Sequence, residues 1–275
     1  MKKIIIFLML LIAVCAVTAQ EEDTAPWKKG GQGAVNFSQT ALSNWSGGGQ
    51  NALSLNSFVS FFANYKQEKL SWDNTLDLAY GIVNQGGVVQ KTDDKFDLAS
   101  KFGYSAFGNW YYSGILAFKT QMTTGYADTV KISSFAAPAY IQIAAGMEYK
   151  PNDDISIYIS PVSGKLTLVL DPDLAAAGSY GLAPGQKARG EFGAYAKIQF
   201  RKTLVENVVF QTKCDFFMNY LENQQFIDVN WDILLAMKIN KFLSASLSVQ
   251  LAYDHDYSEN IQFKETLGLG VSFSF

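Results

Sequence analysis

From Gly33 to Phe275 the chain alternates apolar and polar residues in one segment after another. A period of two is the mark of a strand with one face in an apolar setting and one in a polar setting. Ile227, Val229, Trp231, Ile233 and Leu235 point one way, and Asp228, Asn230 and Asp232 the other. Leu70, Trp72, Leu76, Leu78 and Tyr80 share a face opposite Ser71, Asp73, Thr75 and Asp77. Leu243, Ala245, Leu247, Val249, Leu251 and Tyr253 oppose Ser244, Ser246, Ser248 and Gln250. The pattern predicts strands near 34–42, 51–66, 69–82, 94–105, 110–121, 139–150, 154–170, 190–202, 206–220, 225–238, 241–254 and 260–275. In the seventh, Ile155, Ile157 and Ile159 have odd parity, while Leu166, Leu168 and Leu170 have even parity. Pro161 and Gly164 lie between, which reads as one long strand with a bulge. Two separate strands would make thirteen.

The connections alternate in length. Short turns are expected at 66–69, 106–109, 150–154, 202–206 and 238–241, and longer links at 83–93, 122–138, 171–189, 221–224 and 255–259. Transmembrane barrels have short periplasmic turns, longer outer loops and an even strand number. Twelve strands put both chain ends on the periplasmic side. The fold class expected is therefore all-β, a single antiparallel transmembrane barrel over residues 33–275.

Alternation alone does not say which face is outside, since a soluble barrel hides its apolar face. Charge decides. Only 17% of the residues are charged, against ~25% in soluble domains. Aromatic residues also cluster at strand ends on the apolar face. Tyr65, Trp72, Trp110, Tyr149, Phe200 and Phe275 lie beside short turns, and Tyr80, Tyr220 and Tyr253 toward the longer links. Two aromatic girdles around an apolar band are what the two membrane interfaces select. The last segment ends Leu267, Leu269, Val271, Phe273, Phe275 on one face, an aromatic end suited to recognition by barrel-insertion machinery. Helical spans are excluded, because after residue 19 no apolar run exceeds five residues and a spanning helix needs ~20.

Met1 to Ala19 reads as a secretory leader: Lys2 and Lys3, an apolar run from Ile4 to Val17, and small Val17 and Ala19 before Gln20. Residues 20–32 read as a short polar periplasmic lead. Without the leader the balance is 20 basic against 25 acidic residues, which argues against nucleic acid. Cys214 is the one cysteine beyond the leader, so no intrachain disulfide can form. The address expected is the bacterial outer membrane, in contact with its lipid and lipopolysaccharide.

By parity the inner face carries the acids Asp73, Asp77, Asp97, Glu148, Glu191, Asp215, Asp228 and Asp232 and the bases Lys95, Lys101, Lys119, Lys197, Arg201 and Lys213. Eight-stranded barrels are filled by their side chains, while ~16 strands enclose open water. Twelve fall between. Either these charges pair and cross-link the wall, or they line a narrow polar pore. In a pore, Asp228 and Asp232 with Asp73 and Asp77 would make an acidic stretch that tunes which ions pass.

Catalytic chemistry has little to work with. His255, the one histidine, lies in Asp254-His255-Asp256-Tyr257 near Ser258, and a barrel lipase would need such a His beside a Ser. The acids flanking His255, and Asp171-Pro172-Asp173, could touch a cation, although a solvated loop is the simpler reading. No zinc spacing, phosphate loop or dinucleotide fingerprint is present, and Gly47-Gly48-Gly49 suits a tight turn. No enzyme activity, cofactor or metal is expected. Three function classes stay open: a narrow passive channel for small polar solutes, a closed accessory barrel that partners other outer-membrane proteins, and a lipid-modifying enzyme.

Three stretches, SNWSGGGQN (Ser43 to Asn51), SWDNTLDLAYG (Ser71 to Gly81) and SPVSGKLTLVLDP (Ser160 to Pro172), resemble the bacterial outer-membrane family known as domain of unknown function 3078. The resemblance spans about residues 27 to 275. It implies an outer-membrane barrel and brings no catalytic or binding residues.

Overall fold

The computed structural model describes residues 26–43, 49–240 and 243–274. The leader, most of the lead, Gly47, Gly48 and Phe275 lie outside them. Each alternating segment forms a strand: β1 (Trp27–Thr40), β2 (Ala52–Gln67), β3 (Leu70–Gln85), β4 (Val88–Phe107) and β5 (Trp110–Thr120). After the short β6 (Gly125–Ala127) and β7 (Val130–Ser133) come β8 (Ala139–Tyr149), β9 (Ile155–Leu168), β10 (Ala188–Val205) and β11 (Val208–Asn219). The last are β12 (Asp228–Lys238), β13 (Leu243–Asp254) and β14 (Ser258–Ser274). Twelve of them pair antiparallel in chain order, β5 with β8 across the β6–β7 hairpin, and β1 closes the ring against β14. Closure follows from the solvent: hydrocarbon offers the backbone no hydrogen-bond partner, so no wall strand can be left as a free edge.

The structure departs from the sequence pattern in several places. The wall begins at Trp27 and not at residue 33, since β1 pairs with β2 from Trp27↔Tyr65 to Thr40↔Ala52; the lysines and glycines of this stretch hide its alternation. The link at 83–93 is strand. β3 and β4 run to a two-residue turn, Gly86 and Gly87, both at positive φ as such a hairpin turn demands. A register shift between Gly81 and Ile82 breaks the parity of β4 there. The link at 122–138 holds the β6–β7 hairpin, and that at 171–189 the one-turn α1 (Pro172–Ala176), capped by the Asp171 carboxylate.

β9 is one bulged strand. Its register shifts against β8 between Ala145 and Met147 and against β10 between Gly193 and Tyr195. Gly146 makes the bulge fit, since a Cβ there would stand 2.1 Å from the Ile159 carbonyl oxygen. The closing ladder is short. Among the described residues β1 pairs with β14 from Gln32↔Ser274 to Asn36↔Gly270, and Phe37 to Thr40 pair with β2 alone.

At the long-loop rim, the two largest links pack on each other. Ala137, Val169, Leu174, Ala175 and Leu182 form a small apolar core with Tyr180 against it. Lys131 Nζ bonds both Asp171 and Asp173, and Tyr180 stacks on Tyr257 at 5.2 Å.

Candidate functional site

The wall is turned inside out relative to a soluble barrel. Leu267 is 72% exposed, Leu269 62%, Leu116 53% and Ile143 59%, all on the outer face. Glu148 is 0% exposed and Lys165 9%, both on the inner face. Polar atoms on the outer face are satisfied locally: Trp72 Nε1 donates to Ser100 Oγ at 2.8 Å, and Trp231 Nε1 to Thr212 Oγ1 at 2.7 Å. An apolar exterior over paired polar atoms suits lipid and would not suit water. This is an outer-membrane β-barrel.

The girdle at the short turns contains Tyr65, Trp72, Trp110, Tyr149 and Phe200. Trp27 joins it, 5.3 Å from Tyr65 and 5.7 Å from Trp72, and Trp110 lies 5.1 Å from Tyr149. Phe200 pairs with Phe210 at 6.0 Å. At the other rim Tyr80 lies near the end of β3, Tyr253 near the end of β13, and Tyr220 just beyond β11, where its hydroxyl donates to the Pro161 carbonyl. Phe275 lies outside the described residues. Trp27 was hidden because its segment read as a polar lead.

Ion pairs lace the lumen. Lys95 on β4 bonds Asp232 on β12 at 3.2 Å, and Lys213 on β11 bonds Asp77 on β3 at 2.7 Å. Each couple joins strands six places apart in a ring of twelve, so each spans opposite walls. Lys119 reaches Asp215 at 3.3 Å and Asp97 at 3.9 Å, and Lys197 lies 3.6 Å from Asp215. Nearer the short turns Lys101 bonds Glu148 and lies 3.5 Å from Asp73, which Lys150 also meets at 2.8 Å. Arg201 extends to Gln32 at 3.5 Å. Toward the loops Lys165 holds Asp228 at 2.6 Å, Asp254 at 2.8 Å and Glu191 at 3.5 Å. Arg189 then ties Glu191 to Asp256.

The acidic stretch considered from the sequence does not form. Asp73, Asp77, Asp228 and Asp232 each sit on a different lysine. Lys165, Arg189, Asp254 and Asp256 are additions to the expected set. The bulge in β9 explains Lys165: past it, odd positions point inward, as the even parity of Leu166 and Leu168 already implied.

The lumen is not filled evenly. On one side Ile115, Ala117, Ala144, Tyr158, Tyr195 and Phe217 form an apolar cluster inside the barrel, and Lys165 Nζ lies 5.4 Å over the Phe217 ring. On the other side, along β1–β4 and β11–β14, lies a cavity of about 140 Å³ lined by Asn36, Asn56, Phe58, Gln211, Ser248 and Gln250 among others. A vestibule of about 290 Å³ above it shares Asp93, Lys95, Gln250 and Lys264.

The loop chemistry is dispersed. His255 stacks on Phe226 at 3.6 Å, Asp254 faces Lys165, and Asp256 faces Arg189 and Asn223. Ser258 Oγ donates to the Asn260 carbonyl. Lys131 occupies the Asp171–Asp173 pair. Among the described residues no three potential ligands gather in metal-binding geometry.

Comparison with known proteins adds the following. Residues 37–126 match the family described as protein of unknown function (DUF3078), and residues 159–275 match another protein of unknown function, DUF481. The 3078 resemblance is thus found over a shorter span than 27 to 275, and Ser160 to Pro172 falls in the second match. No curated protein matches the chain. Among solved structures, the translocator domain of autotransporter NalP from Neisseria meningitidis is similar over 97% of this chain and 95% of its own, at 12% identity and TM-score 0.40. An outer membrane channel from Pseudomonas putida F1 gives 94% and 99%, at 11% identity and TM-score 0.41. The outer membrane phospholipase A from Escherichia coli gives 90% and 97%, at 9% identity and TM-score 0.39.

Proposed function

We propose that this protein is a closed accessory barrel of the outer membrane, acting through its packed outer loops and not by passing solutes. The observation that carries this reading is the bracing of opposite walls by Lys95–Asp232 and Lys213–Asp77. A conducting pore needs a continuous wet path, and these two couples cross the middle of the cylinder. The loop cap, with its own apolar core and the Lys131 couples, offers a rigid outer surface to other membrane proteins.

In planar bilayers the purified protein is expected to show no conductance steps, and Lys95→Ala with Lys213→Ala to show small ones. Steady steps from the unaltered protein would overturn the reading. They would favour the second one, a narrow channel, whose own support is the vestibule and cavity on one side of the lumen. The reading assigns no chemistry to His255: any lipid hydrolysis by the purified protein should survive His255→Ala unchanged.

A further inference from the structure

Lipid penalises a free strand edge, yet the seam between β1 and β14 keeps two. The strands pair from Gln32↔Ser274 to Asn36↔Gly270. Beyond Asn36, among the described residues, Phe37 to Thr40 pair with β2 alone, and Gln262 to Leu269 of β14 pair with β13 alone. β1 rises from the short-turn side, so this gap lies in the half of the wall toward the longer links. Each edge turns a row of backbone N–H and C=O groups into it. Such backbone is tolerated at membrane depth only where it borders water or protein. The vestibule, which Lys264 of β14 helps to line, opens beside the gap and brings water to it.

Accessibility changes abruptly at the last pair. Ala34 and Asn36, turned inward, are 2% and 7% exposed. Ser38 and Thr40, of the same parity, are exposed, and so is Gln262 across the gap. On the outer side Phe37 is 55% exposed and Leu267 72%. Asn36 marks the boundary. Its amide reaches across the inner face of β14, where a Cβ at Gly268 would stand 2.4 Å from Nδ2, and donates to Ser246 Oγ on β13 at 3.3 Å. That bond is a stitch over bare glycine, and it stops the gap from running further down.

Behind the gap lies the cavity of about 140 Å³, bounded by Gln32 and Asn36 of β1 and by Lys264 and Thr266 of β14. Its charged groups already pair with one another, Lys95 with Asp232, Lys213 with Asp77 and Lys264 with Asp93. The surface left to a guest is mainly apolar, with Phe58, Ala79 and Leu234 on it. A passage with polar edges, bare leucine outside and an apolar pocket within suits a molecule that has both kinds of surface. The wall on either side of the gap already stands in the outer leaflet, so the guest at hand is a lipid of that leaflet. The pocket has room for the end of one chain and not for a whole lipid.

We propose that the β1–β14 gap is a lateral portal that seats an outer-leaflet lipid, its head at the backbone edges and the end of one acyl chain in the lumenal cavity. The inference goes beyond the closed-barrel reading, because a barrel shut to solutes along its axis can be open to lipid on one flank.

The test is collisional quenching by lipid chains. The full barrel, with Cys214→Ser as background, carries a small bimane fluorophore on Thr266→Cys beside the gap, or on Ser248→Cys as a second reporter lining the same cavity. It is reconstituted into vesicles of phosphatidylcholine with brominated acyl chains. The control is Gln142→Cys on the opposite wall, where β8 is paired on both sides. Relative to vesicles without bromine, the two cavity reporters are expected to lose fluorescence and the Gln142 reporter to keep it. Asn36→Ala, which removes the stitch, should deepen the loss at the cavity reporters. The heat-dependent gel shift checks that each variant is folded. No loss at either cavity reporter, or an equal loss at Gln142, would overturn the portal. Conductance plays no part in this test, so the portal and the closed-barrel reading fail separately.

Discussion

Asp77 lies in mid-lumen with Lys213 as its cation and Ser60 donating a further hydrogen bond. Both partners of the couple are about one-fifth exposed. Removing one member leaves an enclosed charge uncompensated, a loss of 3–5 kcal/mol when burial is complete; here residual hydration should reduce it to about 2 kcal/mol. Lys213→Ala is therefore expected to lower the urea midpoint for unfolding in phospholipid vesicles. Adding Asp77→Ala should restore most of the loss, because a paired deletion leaves no orphan. At the loop cap, Lys131 bonds the Asp171 carboxylate and holds it below the usual carboxylate range. An acid with a lowered value stabilises the folded cap above its ordinary value and ceases to do so as pH falls through the lowered one. The protection of amides 130–137 against hydrogen exchange, taken relative to the free-chain rate at each pH, should accordingly hold across neutral and mildly acidic pH and fall only below the usual carboxylate range. Lys131→Met should weaken that pH dependence without removing it, since the Asp171 carboxylate still accepts from the Asp173 and Leu174 amides.

Among the elements, β9 shows how a local irregularity sets global placement. Its bulge turns Ser163, Lys165 and Thr167 inward, where Lys165 gathers three carboxylates from β10, β12 and β13. The bulge depends on Gly146, whose missing side chain admits the Ile159 carbonyl. Gly146→Val should force β8 and β9 apart and cost about 1–3 kcal/mol, the usual penalty of overpacking, read as a lower unfolding midpoint. The same strand shows what can be seen in a sequence and what cannot. Within a strand, parity is local, so the inner positions of β3, β10, β11 and β12 follow directly from the alternation. Trp27 and the top of β4 were hidden because Lys-Lys-Gly-Gly and a register shift erase the period. Which lysine meets which acid could not be read at all. Lys95 and Asp232 are 137 residues apart, and their meeting depends on ring size and stagger, which no segment encodes alone.

The whole molecule is a hoop joined by its first and last strands. Among the described residues that join holds five pairs, Gln32 to Asn36 with Gly270 to Ser274, whereas β1 meets β2 along its entire length. Ala34 and Ser272 face each other within it. Cysteines at both positions, Ala34→Cys with Ser272→Cys, would tie the two ends by a covalent bridge. By restricting the unfolded chain such a bridge should add about 2–4 kcal/mol, read as a higher temperature for the gel shift of oxidised over reduced protein. A hoop also has a point where it is fastened, and here the clasp is narrow. Folding can finish only when the last strand arrives, and thermal fluctuation should part the wall first beside Phe37, on the side where the bilayer presses against bare leucine. The same line borders the lumenal cavity, which Gln32 and Asn36 help to line, so whatever loosens the clasp also uncovers that pocket to the surrounding lipid.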